Sequence, residues 1–348
     1  MRTASLPLFS QQRLEELLSA IATVRVGVVG DACLDVYWEA DMTLSRLARE
    51  NPHFIMPVVN ERTSPGGGGN LTASVAGIGV QNVPLLGVVG DDWRGHELAE
   101  RVLPRFGISS DYIVSTPERV TTAYCKPMRR GLTDVVYEDP HLYFENHAPM
   151  PPSVEAAVLD RLEALLASVD ALVVADYLEY GVIVPAVRER LNRAAREGLP
   201  IVVDSRERIR LYRHAVLKPN DLEALWAFSP GALPKEVTLP RLEEIGRQLV
   251  SENAARVCIT LGSQGCLWVE GDDVTLIPAN PAPPPIDIVG AGDTFAAAFT
   301  TALVAGASGP EAAALANLAS GVVVRKIGTT GTASPAEILQ RYQEEFAS

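Results

Sequence analysis

No apolar run in these 348 residues approaches the ~18 needed to span a bilayer. The longest, such as Ala171–Ala175, are strand-sized. The N-terminus also lacks a basic stretch followed by the apolar core of a secretory signal. Leu6-Pro7-Leu8-Phe9 is short, and Arg13, Glu15 and Glu16 follow at once. A cytoplasmic protein with no membrane partner is expected. Cysteine is scarce. Cys33, Cys125, Cys258 and Cys266 form no C-x-x-C pair, which argues against structural zinc and thioredoxin-like chemistry. All four read as small core residues. Positive charge is short as well: 30 Lys and Arg against 43 Asp and Glu leave a net charge of −13. So acidic a chain offers no broad electrostatic footprint for nucleic acid. A small local anion site remains open to it.

What is present is ordinary globular material, 47% hydrophobic and 21% charged. The length suits two domains or one large α/β domain with an insertion. Ser10 caps a predicted helix over 10–22, with Leu14, Leu17, Leu18 and Ile21 at helical spacing. Val24–Gly30 reads as a buried strand ending at Asp31. Pro65-Gly66-Gly67-Gly68-Gly69-Asn70 opens a small-residue helix over 70–79, and Pro84–Val89 is another strand before a helix near 94–106. From 153 onward, helices alternate with strands at Ala171–Ala175, Pro200–Val203, Ala215–Lys218 and Arg256–Thr260. This alternation predicts an α/β fold, a doubly wound and mostly parallel sheet with helices on both faces. Segments 36–64 and 112–147 break the alternation with short β-prone runs. They are expected to form a small inserted β-lid on a single domain spanning 1–348.

The strongest chemical motif is Asp287-Ile288-Val289-Gly290-Ala291-Gly292-Asp293-Thr294-Phe295, running into an apolar helix. The first N–H groups of such a helix are unpaired and sit at the positive end of its dipole, a setting suited to a phosphoryl oxygen. Asp293 stands at the same point, where a carboxylate can take a proton from an attacking hydroxyl. A helix start with Asp as a cap is the plain alternative. Asn220 and Glu223, three apart at a helix start, suit a hydrated Mg²⁺ or a capping box. Asp31 and Asp35, four apart after the first strand, suit vicinal hydroxyls. Gly66 and Gly67 allow close approach to the backbone, and Asn70 can donate and accept. Asp176 ends a strand and is expected to face the same cleft.

These motifs together resemble the ribokinase, or PfkB, family of carbohydrate kinases. Asp287–Phe295 resembles its C-terminal signature and Pro65–Asn70 its N-terminal Gly-Gly signature. Lys218-Pro219-Asn220-Asp221-Leu222-Glu223 resembles its N-x-x-E element, and Thr260-Leu261-Gly262-Ser263-Gln264-Gly265 its nucleotide loop. Ala316-Asn317 and Lys326-Ile327-Gly328-Thr329-Thr330 resemble its adenine-side helix and loop. The likeness covers roughly 24–340. It implies a ribokinase-like fold with a lid over the sugar, ATP and Mg²⁺ as cofactors, and room for a monovalent cation such as K⁺. It implies Asp293 as base and Gly290, Ala291 and Gly292 as an anion hole for the γ-phosphoryl group. Lys218, Asn220, Glu223, Thr260, Gly262, Gly265, Asn317 and Gly328 fall on the nucleotide and metal side. Asp31, Asp35, Gly66, Gly67, Asn70 and Asp176 fall on the sugar side. A homodimer through the lid is implied too, because exposed lid strands need their edges covered.

Within that family, Val29-Gly30-Asp31, Leu34-Asp35, Tyr37-Trp38 and Gly321–Thr329 resemble heptose-7-phosphate kinases. Val36 and Glu179 stand where those proteins carry cations, and Leu142–Asn146 lacks an Arg usual near there. The expected acceptor is therefore a neutral sugar, polyol or nucleoside-like compound, with heptose 7-phosphate as the alternative. Lys126, Arg129 and Arg130 are the cations that could reverse this. No nucleotidyltransferase segment of the kind some of those proteins carry is expected. A nucleotide- or sugar-sensing protein on the same fold is the second reading. A dinucleotide oxidoreductase is disfavoured for want of G-x-G-x-x-G.

Overall fold

A computed structural model describes residues 1–133, 135–328 and 330–346. Asp134, at the start of an expected lid strand, and Thr329, in the adenine-side loop, lie outside the described residues. Ten strands form the main sheet. Their order is Arg2–Thr3, Asp273–Ile277, Cys266–Glu270, Arg256–Thr260, Val216–Leu217, Ile201–Ser205, Ala171–Asp176, Val26–Gly30, Val83–Leu86, Ile108–Ser109. Pairing is parallel except on the two sides of Cys266–Glu270. Central strands such as Val26–Gly30 and Ala171–Asp176 are buried at every position, as a strand covered on both faces must be. One face carries helices Gln11–Ile21, Gly68–Gly77, Ala291–Val304 and Gly309–Val323; the other carries Pro152–Leu166, Pro185–Arg196 and Leu239–Asn253. Ser10 caps the first helix from its side chain, and Leu14, Leu17, Leu18 and Ile21 are its buried residues. All four cysteines are free and buried. No helix among the described residues is long and apolar enough to cross a membrane.

Strand order reverses between Val26–Gly30 and Ala171–Asp176, which pair in register with Ala175 opposite Gly30. Open α/β sheets bind ligands at the carboxyl ends of strands at such a point. The two strands end at Asp31 and at Asp176-Tyr177.

The lid begins earlier than 36. Strand Ala32–Asp41 leaves the main sheet one residue after Asp31. It pairs antiparallel with Val58–Gly67 and parallel with Ala123–Arg130, which takes Val136–Glu138 and Leu142–Phe144 on its other edge. Val114–Thr116, expected in the lid, instead pairs with Val88–Gly90 beside the core. The expected strand Pro84–Val89 is split at Gly87. A Cβ there would lie 2.8 Å from Ala32 Cβ and 3.0 Å from Gly30 O, so the chain must thread between the core and the lid root. The expected helix near 94–106 is also divided, into Trp93–His96, a wider turn over Glu97–Val102, and Leu103–Arg105.

Candidate active site

Helix Ala291–Val304 starts from Gly290, whose φ is +82°. A side chain there would be strained, and its Cβ would lie 2.9 Å from Thr330 Cγ2. This turn aims the helix start at the switch point. Ala291 N–H turns back to Ile288 O at 3.2 Å. The N–H groups of Gly290 and Gly292 have no intramolecular acceptor among the described residues, and a Cβ on Gly292 would meet nothing within 4 Å. An anion can therefore reach these donors from the open side, while Ala291 contributes position rather than a donor.

Asp293 lies in the first turn of this helix. Asn70 Nδ2 donates to its Oδ2 at 2.5 Å and the Tyr177 hydroxyl to its Oδ1 at 2.9 Å. Asp293 as a whole is half-buried. Burial, and then the charge of Asp204, push its pKa up to about 6, against the pull of Asn70, Tyr177 and Lys218. A carboxyl group of that strength is mostly ionised at neutral pH, yet close enough to it to take and release a proton.

Behind Tyr177 lies a buried charged row. The Tyr177 hydroxyl is 3.1 Å from Asp204 Oδ2, and Lys218 Nζ is 3.1 Å from the same oxygen. Lys218 is 2% exposed. Burial works against its charge, but Asp204 and Glu223 outweigh it and raise its pKa. Glu223 is pushed up to about 7, mainly by burial and then by Asp204, with Lys218 pulling down.

Asn220 and Glu223 form a capping box: Asn220 Oδ1 accepts from Glu223 N at 2.8 Å, and Glu223 Oε2 accepts from Asn220 N at 2.8 Å. The cap occupies Glu223 Oε2 and leaves its other oxygen outside the capping pair. Among the described residues no cluster of three His, Cys, Asp or Glu could cage a metal. Asn220 and Glu223 offer hard oxygen donors, the kind that suits Mg²⁺ held through its waters.

On the sugar side the residues divide. Asp31 Oδ2 accepts from Tyr177 N at 3.0 Å and Leu178 N at 2.8 Å; its Oδ1 accepts from Val182 N at 2.8 Å. A Cβ on Gly181 would fall 2.1 Å from that carboxylate. Asp31 thus moulds the loop that carries Tyr177, and burial pushes its own pKa up to about 6. Asp35 faces the lid, where Lys126 Nζ meets it at 3.0 Å. The expectation for Asp176 is corrected. Its side chain is 0% exposed and occupied by Arg208, Ser205 Oγ and the Tyr212 hydroxyl, so it anchors the strand end away from solvent. Added Cβ atoms on Gly66 and Gly67 would lie 2.7 Å from Asp35 Oδ1 and 2.7 Å from Asp31 O, so both glycines also let the chain at the lid root come close.

The residues expected on the nucleotide side lie toward the same, N-terminal end of helix Ala291–Val304: Ser320 Oγ, one turn beyond Asn317, donates to Ala291 O at 3.1 Å. Thr260 bridges to Asn220. Gly262 and Gly265 take φ of +56° and +97°, and a Cβ on Gly265 would sit 2.1 Å from Ile277 O. Asn317 Nδ2 donates to Ile277 O at 3.4 Å and Pro278 O at 3.3 Å, fastening the chain after the terminal hairpin. Gly328 N donates to Asp287 Oδ2 at 3.0 Å, while Arg62 from the lid donates to Gly328 O at 3.1 Å.

Three residues at the centre escaped the sequence reading. Tyr177 follows Asp176 directly but was given no role, and Asp204 and Arg206 had no motif. Arg206 lies with its guanidinium carbon 5.2 Å from the centre of the Tyr177 ring, exposed and without a carboxylate partner among the described residues. The available signal was position: Asp204 and Arg206 flank the carboxyl end of Ile201–Ser205, a strand of the same sheet.

Residues 31–337 match the pfkB family of carbohydrate kinases, and the chain belongs to that family. It is a carbohydrate kinase. A protein named bifunctional protein HldE from Caulobacter sp. (strain K31) is 34% identical over 91% of this chain and 62% of its own length. The protein of that name from Shewanella piezotolerans is 28% identical over 96% of this chain and 67% of its own. The chain thus spans about two thirds of these relatives. In structure it is similar to Escherichia coli phosphofructokinase-2 in complex with substrates and products (TM-score 0.69, 20% identity, 92% of this chain and 99% of that one). It is also similar to Arabidopsis thaliana ribokinase complexed with ribose and ATP (TM-score 0.65, 20% identity, 91% and 98%). At such identities these two speak for the fold.

Proposed function

We propose that this chain transfers the γ-phosphoryl group of ATP to a hydroxyl of a sugar or sugar-like molecule, with Asp293 as general base. The carrying observation is Asp293 itself, a recessed carboxylate of raised pKa in the first turn of a helix whose free N–H groups face the same space. The acceptor hydroxyl gives its proton to Asp293 as its oxygen attacks phosphorus. The N–H groups of Gly290 and Gly292 and the helix dipole stabilise charge on the phosphoryl oxygens. Glu223 Oε1 and Asn220 hold the water shell of a Mg²⁺ ion, which supplies charge neutralisation on the phosphates when bound. Asn70 orients the base, and Asp35 with the lid closes over the acceptor.

The acceptor favoured by the lid is a neutral polyol. Lys126 is paired with Asp35, and Arg129 with Asp139 at 2.9 Å. Two of the three lid cations that could hold a substrate phosphate are therefore already paired, while Arg130 is exposed and pairs with no carboxylate among the described residues. A phosphorylated acceptor, such as heptose 7-phosphate, is the second reading, and the unpaired Arg206 beside Tyr177 supports it. The test is ADP release measured over a panel of neutral sugars and their monophosphates. Turnover that survives in Asp293→Asn would overturn the base assignment.

A further inference from the structure

Tyr177 is unusual in having one hydrogen and two carboxylates to give it to. Its hydroxyl lies 2.9 Å from Asp293 Oδ1 and 3.1 Å from Asp204 Oδ2. A phenol donates a single O–H, and its hydrogen turns to suit its partners. Asp204 has a standing counter-charge in Lys218, so it needs the phenol less than an ionised Asp293 does. Resting on the assignment of Asp293 as base, we propose that Tyr177 is a positioning residue whose hydroxyl hydrogen is switched between the two carboxylates. It points to Asp293 while that group is ionised and to Asp204 once Asp293 has taken the acceptor's proton.

The step balances. The acceptor O–H breaks, its proton moves to Asp293, the acceptor O–P bond forms, and the bond to the leaving nucleoside diphosphate breaks. Tyr177 keeps its proton throughout and only changes the oxygen it serves. In the ground state the donation holds Asp293 ionised and aimed. After proton transfer, the freed phenol oxygen can accept from the new Asp293 O–H. The hydrogen bond therefore survives on both sides of the step with its direction reversed.

The surroundings suit a switch of this kind. Tyr177 N is fixed by Asp31 and its ring lies under Arg206, so the oxygen is held while the hydrogen is free. Burial, then the charges of Asp204 and Asp293, keep the phenol protonated far above neutral pH. Asp293 faces Asn70 from the lid-side helix, Tyr177 from the strand end, Asp204 and Lys218 from the next two strands, with Glu223 beyond Lys218.

The test compares Tyr177→Phe, Tyr177 replaced by 3-fluorotyrosine, and Asp204→Asn on the full chain. The acid limb of kcat/KM and the Asp293 carboxyl band in isotope-edited infrared titration are both read. Tyr177→Phe removes a donor to the ionised form, so the acid limb moves up by about one pH unit. The alkaline plateau falls about tenfold, the size of one hydrogen bond to a charge. Fluorotyrosine is a stronger donor and moves the limb down. Asp204→Asn removes the repelling charge and also moves it down. A limb and carboxyl band unmoved in both tyrosine variants, with only a uniform loss of rate, would make Tyr177 a packing residue and overturn the proposal. Asp293→Asn read alongside keeps the two ideas apart. If it remains active, the base assignment fails. If it is dead while Tyr177→Phe leaves the titration unchanged, only the switch fails.

Discussion

Lys126 reaches across the lid from Ala123–Arg130 to Asp35 on Ala32–Asp41, with Nζ 3.0 Å from Oδ2 and 3.2 Å from the Tyr37 hydroxyl. Burial works against the Lys126 charge, but Asp35 and Tyr37 outweigh it and raise its pKa. A substrate phosphate would have to compete with Asp35 for this ammonium. Replacing Lys126 with Met should therefore leave Asp35 unpaired and raise the KM of a neutral acceptor a few-fold with little change in kcat. A loss above a hundredfold confined to phosphorylated sugars would instead make Lys126 a phosphate ligand.

Asp293→Asn should keep the fold and ATP binding and lose ~10²–10⁴-fold in turnover, the usual worth of a general base. The same change removes a carboxylate that is costly to ionise where it sits. The variant should therefore melt roughly 1–3 °C higher than the parent at pH 8. Calorimetry and a coupled ADP assay on one preparation check both halves.

Glu223→Gln should raise the Mg²⁺ concentration required for half-maximal rate. Gln preserves the capping box with Asn220, since an amide oxygen serves as well there. The substitution therefore separates the two roles of the residue. An unchanged metal titration would reduce Glu223 to a helix cap.

Stability should decline as pH rises from about 4 to about 7. Asp31 and Asp293 are pushed up to about 6 and Glu223 to about 7. Between their unfolded and folded pKa values the native state holds protons that the unfolded chain has lost, so raising the pH favours unfolding. Asp92, Glu311 and Glu337 act in the opposite sense. Burial opposes their ionisation, but hydrogen bonds outweigh it and lower their pKa values. Their contribution is lost below about pH 4. The melting temperature should therefore peak near pH 4, and Asp293→Asn should flatten its decline above that. A peak at pH 8 would contradict the shifts.

Val58–Gly67 is an edge strand of the lid, with Val58 and Val59 about half exposed. If two lids pair there, Val59→Lys should shift a dimer toward monomer in light scattering. Turnover per chain should then fall through the acceptor KM.

Much of this was legible before any coordinates. Strand and helix alternation gives the sheet, and the helix start at Gly290–Asp293 is where its motif puts it. The illegible part has a common cause: side chains brought together from different strands. Tyr177, Asp204 and Lys218 lie on three strand ends that only the sheet order makes adjacent. Asp176 misled because period-2 alternation says nothing about a strand's last residue, and Arg208 takes it up from a turn beyond the next strand. The lid root at Ala32 was hidden because Cys33 and Leu34 continue the apolar character of the core strand.

Strand Val58–Gly67 passes into helix Gly68–Gly77 without an intervening loop, and the third residue of that helix is Asn70. The junction therefore has a fixed length that no surface loop shares. One added residue would swap the faces of the lid strand and swing Asn70 about 100° around its helix, breaking the lid and the Asn70–Asp293 hydrogen bond together. Insertions and deletions should be admitted in 45–57 and around 131–133, where exposed chain joins the lid strands. They should be refused between Gly66 and Asn70, so related chains of different length should all count the same number of residues there.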